Sequence, residues 1–406
     1  KPMLIDKRDF IIVGQQPWDN PIGSNCIDIA EEISRNNRVL YINPPVDRIT
    51  LLRKRPAEKY IIDRREAILN GKQKKLEKVT DNLWVFTPTR IIESLNMLPD
   101  GGFYDGLNKR NNRIYASEIQ QAIQELSLKD YILFNDGDMF RSFYLKDLLQ
   151  PMVSIYYTRD YFLAVDYWKK HGLRLEPALM KKSDLVVSNS IYLNNLARQY
   201  NPNSHYIGQG CDFSLFDVDD TGNVPQELEH IPHPRIGYIG ALLNLRLDIE
   251  LLEGIAKARP EWQLVLIGPE DEYFKASDLH TMENVHFLGS KPMESLSSYL
   301  KGFDVALNPQ KFNEVTIGNY PRKIDEYLAM GTPTVATATE TMDAFKQHVY
   351  LGRGLDDYLR LIDKALQEDS PQLHQQRREF ALQHTWENSV NAMYKAILNT
   401  ESYHGN

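Results

Sequence analysis

Short hydrophobic runs of four or five residues recur along this chain, separated by stretches whose apolar residues fall three and four apart. Residues 10–13 (FIIV), 39–42 (VLYI), 83–86 (LWVF), 131–134 (YILF), 153–157 (VSIYY) and 185–188 (LVVS) read as buried strands. Ser24 supplies an N-cap for a helix carrying Ile27, Ile29, Ala30 and Ile33. Helices are also expected over 57–78, 115–128, 138–149, 161–182 and 190–201. Strands alternating with helices predict a parallel sheet covered on both faces. Residues 217–234 (DVDDTGNVPQELEHIPHP) break the pattern. They are acidic and carry three prolines, and read as an interdomain linker. A second series then begins, with strands at 235–240 (RIGYIG), 263–268 (QLVLIG), 285–288 (VHFL), 305–308 (VALN) and 334–337 (TVAT), and helices at 247–259 and 293–301. Residues 354–400 read as wholly helical. That is longer than one covering helix needs, so about 386–406 is expected to return to the first domain. The expected fold class is α/β: two Rossmann-like domains, 1–216 and 235–385, facing across a cleft at their strand ends.

The most informative stretch is 303–339, a β-loop-α-β unit. Pro321 suits a first helical turn, Ile324, Tyr327, Leu328 and Met330 give helical spacing, and Gly331 with Pro333 reads as a stop. Lys323 and Glu326 lie three apart on one face of this helix. A cation there suits a phosphate at the helix N-terminus. A carboxylate one turn deeper can accept hydrogen bonds from sugar hydroxyls. The pair therefore points to a nucleotide-sugar diphosphate. Gly237 and Gly240 end the strand that opens this half, with a backbone that a phosphate could approach.

Composition narrows the class. At 406 residues, 42% hydrophobic and 25% charged, the chain is an ordinary globular protein of two domains. No apolar run approaches the roughly 18 residues of a membrane span. The start (KPMLIDKRDF) lacks the apolar core of a signal peptide, and Cys26 and Cys211 stand far apart, so a reduced cytoplasmic setting is expected. The net charge of −8 is uneven: residues 48–113 hold fifteen Lys/Arg against eight Asp/Glu, or +7, leaving about −15 elsewhere. That basic stretch, with RITLLRKRP at 48–56, is read either as solvated helices or as a surface facing anionic lipid or a lipid-diphosphate acceptor. Nucleic acid is not an expected partner.

IGYIGALLNLRLDIELL, WQLVLIGP, NVHFLGSKPMESLSSYLKGFDVALNP and YPRKIDEYLAMGTPTVAT, in that order, resemble the nucleotide-sugar domain of GT-B-type glycosyltransferases of the bacterial "group 1" (family-4-like) class. The Pro17-Trp18-Asp19 loop, VLYINPP and SNSIYLNNLARQYNPNSHYIGQGCDFSLF are similar to the first half of a subgroup of that class. The resemblance implies transfer from a nucleoside-diphosphate sugar to a hydroxyl acceptor in cell-surface polysaccharide or glycolipid assembly; UDP is one candidate nucleotide, and the base stays open. It places Lys323, Arg246 and Gly240 at the donor diphosphate, Glu326 at the ribose, and the backbone at His286 and Leu288 beside the nucleobase. Retaining members often carry two glutamates eight apart. Glu326 matches the second, but the first falls at Gly318. The sugar contact is then expected from backbone N–H groups around Thr316, Gly318 and Asn319. On the acceptor side Trp18, Asp19 and Gly23 form one loop. Asp160, just past a strand end, is the candidate general base if transfer inverts. If it retains, no base is needed. No metal is expected, because no Asp-x-Asp site stands beside a plausible sugar pocket; Lys323, Arg246 and helix N–H groups would stabilise the leaving diphosphate instead. Asp325 is read as a surface residue. Two other readings stay open: a sugar-nucleotide epimerase on the same architecture, and a non-catalytic nucleotide-sugar-binding partner protein.

Overall fold

The computed structural model describes residues 4–20, 23–219 and 222–404. The expectations touching residues 21–22, 220–221 and 405–406 lie outside them. The chain divides into two units, one ending at Gly208 and resumed at Trp386, the other running Gln209–Thr385.

The first unit carries β1 (Asp9–Gly14), β2 (Arg38–Ile42), β3 (Leu76–Thr80), β4 (Leu83–Phe86), β5 (Ile132–Asp136), β6 (Val153–Thr158), β7 (Leu185–Ser188) and β8 (Ser204–Tyr206), in the order β3-β4-β2-β1-β5-β6-β7-β8. All neighbours are parallel except β3 and β4. Alternation sorts β1 between two cores. Phe10 and Ile12 meet the helices Asn25–Ser34 and Trp386–Leu398, through Ile29, Met393 and Tyr394. Ile11 and Val13 meet the helix Gly102–Leu126, through Tyr115, Ile119 and Ala122. The returning C-terminal helix is fixed by more than apolar contact, since Asn37 Nδ2 donates to Tyr394 Oη at 3.1 Å.

The second unit holds β9 (Arg235–Ile239), β10 (Gln263–Ile267), β11 (Val285–Gly289), β12 (Val305–Asn308), β13 (Thr334–Thr337) and β14 (Tyr350–Gly352), all parallel, in the order β11-β10-β9-β12-β13-β14. The helices Ile249–Ala258 and Gly354–Glu368 cover one face, and the helix Arg322–Ala329 covers the other.

Several elements differ from expectation, each for a physical reason. The helix expected over 57–78 is Lys59–Leu69, because Asn70 and Gly71 (φ +71°) turn the chain into β3. The helix expected from 115 begins at Gly102. Its first half buries Asn108, Asn111 and Asn112, whose amides bond to Phe140 O and to the Glu93 backbone, so apolar periodicity cannot reveal it. The tail at 354–400 is three helices, broken before Pro371 and before Trp386. The segment read as a linker packs instead on the second unit, where Leu228 and Ile231 are buried with Tyr299, Leu300 and Phe303. No helix among the described residues is long and apolar enough to cross a membrane.

Candidate functional site

The helix Arg322–Ala329 begins at Pro321, and no side chain caps its first turn. Ile324 N bonds Pro321 O at 3.0 Å, which leaves the N–H groups of Arg322 and Lys323 to meet an anion, at the carboxyl-end side of β9 and β12. Lys323, half-buried on this turn, reaches Tyr238 at the end of β9. Its Nζ donates to Tyr238 Oη at 2.5 Å and lies 4.1 Å from the centre of that ring. Burial lowers the Lys323 ammonium to about 8, while Glu326 pulls it back up and Arg246 lowers it further. Burial likewise pushes the half-buried Glu326 carboxyl up to about 7, against the pull of Arg322 and Lys323. An ammonium and a carboxylate both drawn towards neutrality, one turn apart, mark a candidate functional site.

Gly240 makes room for this arrangement. Its φ is +150°, and a Cβ there would stand 2.5 Å from Lys323 Nζ and 2.8 Å from Tyr238 Oη. Gly240→Ala is therefore expected to displace Lys323 and weaken nucleotide-diphosphate affinity about ten-fold, as read by calorimetry. Unchanged affinity would mean that Lys323 is not held there for the ligand. Gly237 has a packing role, because the Phe303 ring occupies its Cβ space.

Arg246 is exposed on the loop after β9 and acts electrostatically on both Lys323 and Tyr238. That loop is tied to the one after β12: Lys311 N donates to Arg246 O at 2.7 Å, Lys311 Nζ to Asn244 Oδ1 at 2.8 Å, and Asn313 Nδ2 to Leu245 O at 2.9 Å. The structure thus brings Lys323, Glu326, Arg246 and Gly240 together. Sequence reasoning missed Tyr238, whose one signal was an aromatic beside the glycines of RIGYIG.

The expectation for Thr316, Gly318 and Asn319 needs correction. Residues 314–317 form a short helix capped by Asn313, with the Thr316 hydroxyl donating to Lys311 O at 2.6 Å. The N–H groups of Thr316, Ile317, Gly318 and Asn319 all bond within this turn. They shape the loop and have no donor left for a sugar. Asp325 is a second correction. It is fully buried, accepting from Tyr320 Oη at 2.5 Å and Cys211 Sγ at 3.3 Å, with His384 Nδ1 at 2.5 Å. Burial and the Asp325 carboxylate hold the Cys211 thiol well above its ordinary range.

His286 and Leu288 lie on β11, the edge strand. The His286 ring bonds Gln263 Oε1 at 2.8 Å, and Leu288 packs into the core. In the first unit Trp18 anchors its loop, with its backbone N–H donating to Asn43 Oδ1 at 2.8 Å and its ring edge-on to Tyr41. Asp19 pairs with Arg64 at 2.7 Å, and Gly23 (φ +73°) turns the chain into Ser24, which caps Ile27 N. Asp160 follows β6. Arg159 bridges it, at 2.7 Å, to the buried Asp136 at 2.9 Å.

Residues 233–358 match the family model of glycosyl transferases group 1. The protein named teichuronic acid biosynthesis glycosyltransferase TuaH, from Bacillus subtilis (strain 168), is 22% identical over 234 residues, 55% of this chain and 58% of that protein. The chain therefore aligns with little more than half of that relative's length. Sucrose-phosphate synthase of Thermosynechococcus elongatus superposes with a TM-score of 0.62 at 15% identity, covering 98% of this chain and all (100%) of that one. HepE of Anabaena, in complex with UDP and glucose, superposes with a TM-score of 0.59 at 14% identity, covering 97% and 100%. These likenesses show the GT-B fold, two Rossmann-like domains in one chain.

Proposed function

We propose that this chain, which belongs through residues 233–358 to the glycosyl transferases group 1 family, moves a sugar from a nucleoside-diphosphate sugar to a hydroxyl acceptor in bacterial cell-surface polysaccharide or glycolipid assembly. The observation that carries this reading is Lys323, set against Tyr238 over the open backbone of Gly240, with Arg246 near it and Glu326 one turn deeper. A nucleoside diphosphate leaving a sugar gains negative charge. Lys323, Arg246 and the first-turn N–H groups neutralise it where it develops. Glu326 accepts hydrogen bonds from ribose hydroxyls, and the β11 backbone near His286 and Leu288 runs beside the base. HepE was captured with UDP and glucose, which supports uracil as that base and UDP as the leaving nucleotide. The name of TuaH supports a polysaccharide acceptor.

Retention of configuration is the reading adopted here, with the leaving phosphate taking the acceptor proton. The Asp160 carboxylate is engaged by Arg159 at 2.7 Å, which supports it. The charge work falls to side chains and N–H groups, so transfer is expected to continue in EDTA. Attachment to an anionic membrane surface through 48–113 fits the basic balance there, part of which is spent on internal pairs such as Arg48–Glu93 and Lys75–Glu118.

Thermal-shift titration with UDP, GDP and ADP tests the donor assignment. UDP is expected to raise the melting temperature most, because a ligand that binds only the folded state stabilises it. No shift with any nucleoside diphosphate would end the reading. Gly318 in place of an acidic residue favours one other reading, a non-catalytic binding partner. UDP binding without turnover across an acceptor panel would establish that instead.

A further inference from the structure

We propose that a cavity of about 660 Å³ in the first unit is a saccharide site specific for an anionic sugar. Arg53 and Arg55 take the anionic group, Glu58 and Asn96 take hydroxyls, and Trp168 adds apolar surface. The proposal rests on the sugar-transfer reading and names the acceptor class. The cavity lies among the loops that follow β1, β2 and β5, the side of a parallel sheet where ligands bind, and its volume suits a small ligand.

Two buried oxygens in its wall have no hydrogen-bond partner among the described residues: Glu58 Oε2 and Asn96 Oδ1. Buried acceptors are rarely left without donors. Glu58 occupies the N-cap position of the helix Lys59–Leu69 yet caps no N–H, so its carboxylate is not spent on the helix. A ligand that brings several O–H donors satisfies both oxygens. Trp168 lines the wall and is held by Phe140 (5.3 Å, 16°), Phe162 (5.0 Å, 32°) and the edge-on Tyr167 (5.3 Å, 87°), so it adds fixed apolar surface there. Apolar surface beside hydroxyl acceptors describes a sugar.

The anionic part follows from the arginines. The helix Arg48–Arg53 ends at Lys54 in the left-handed conformation (φ 45°). Arg53 and Arg55 both line the cavity, and Lys54 between them does not. Neither arginine has an ion-pair partner among the described residues. The other charged groups of the wall are engaged: Asp47 caps Thr50, Glu93 holds Arg48, and Asp138 holds Arg141. The fork of a guanidinium matches the oxygens of a phosphate or a carboxylate.

Calorimetry with glucose, glucose 6-phosphate and glucuronate decides the matter. At least one anionic sugar is expected to bind about ten-fold more tightly than glucose, and the phosphate and carboxylate arms say which group is preferred. Arg53→Gln with Arg55→Gln should cut that preference below about three-fold, and Glu58→Gln should weaken all three sugars alike. Equal affinities, no binding of any sugar up to about 20 mM, or a preference that survives the arginine changes would overturn the proposal. So would arginine variants that leave anionic vesicles yet keep the sugar preference, since the arginines would then serve a membrane. The UDP thermal shift is measured on every variant. It should be unchanged, which controls for folding. Its absence in the unaltered protein would count against the sugar-transfer reading, whatever the sugars do.

Discussion

Lys323→Met is expected to lower sugar transfer about 100-fold, roughly 2.7 kcal/mol of transition-state stabilisation, while the protein stays folded. The argument starts from where the ammonium sits. It is desolvated beside Tyr238, with Arg246 adding to the repulsion, and its one opposing carboxylate, Glu326, is itself pushed towards neutrality. In the free protein that charge is a burden. A donor diphosphate relieves it, and the additional charge that appears as the glycosidic bond breaks relieves it further. Removing the lysine therefore removes an interaction that strengthens towards the transition state, which lowers kcat rather than only raising KM. Methionine keeps an unbranched stem only one atom shorter, so the melting temperature without ligand should hold.

The same geometry fixes a pH dependence. The Lys323 value of about 8 in the free protein must rise when diphosphate binds, because the anion favours the ammonium. Affinity for UDP is then fullest below pH 8 and falls as pH rises through about 8, by up to about ten-fold per pH unit until the bound-state value is reached. Calorimetric titrations between about pH 6.5 and 9.5 should show this limb, and the Met variant should lose it. A flat profile in the unaltered protein, or a variant with more than a third of normal turnover, would remove Lys323 from the donor site.

How much of this could be read beforehand depended on which side of each element is covered. The Arg322–Ala329 helix was legible because Pro321, Gly331 and Pro333 punctuate it and its apolar residues keep one spacing. Lys323 and Glu326 followed from their offset. Asp325 did not, because the reading assumed one buried face. The helix is in fact covered on a second side, where Arg377 Nη1 of the next-but-one helix, Pro371–Ala381, bonds Gly331 O at 3.1 Å. The long helix Gly102–Leu126 hid for the opposite reason, since its buried face is partly asparagine and satisfied by backbone. The edge strands β8 and β14, three residues each, carry too few positions for any period to register. Glu58, Asn96 and Trp168 share a cavity wall across 110 positions of sequence, which no local spacing reports.

Asp325→Asn should lower the stability of the second unit by about 3 kcal/mol, although the side chain keeps its shape. The carboxylate receives the Tyr320 hydroxyl and the Cys211 thiol on Oδ2 and faces His384 Nδ1 with Oδ1. All three partners can donate, and the carboxylate can only accept. An amide presents an NH₂ group to one side of that set, so it sets donor against donor in a buried place. For a unit of this size the loss corresponds to a fall of about 9 °C in melting temperature. Tyr320→Phe removes one donor and leaves the carboxylate with the others, so its cost should be nearer 1 kcal/mol. Cys211 and His384 stand near the two ends of the second unit's chain, and Cys211 N donates to His384 O at 2.9 Å. Both ends are thereby tied to Asp325, the residue that precedes Glu326 on the donor helix. The Asn variant should accordingly bind UDP several-fold more weakly at a temperature where it is still folded, because the first turn that positions Lys323 loses its anchor. Scanning calorimetry and UDP titration on the two variants separate these effects. A melting temperature within about 2 °C of the unaltered protein for Asp325→Asn would show that the cluster is not what holds the donor helix in place.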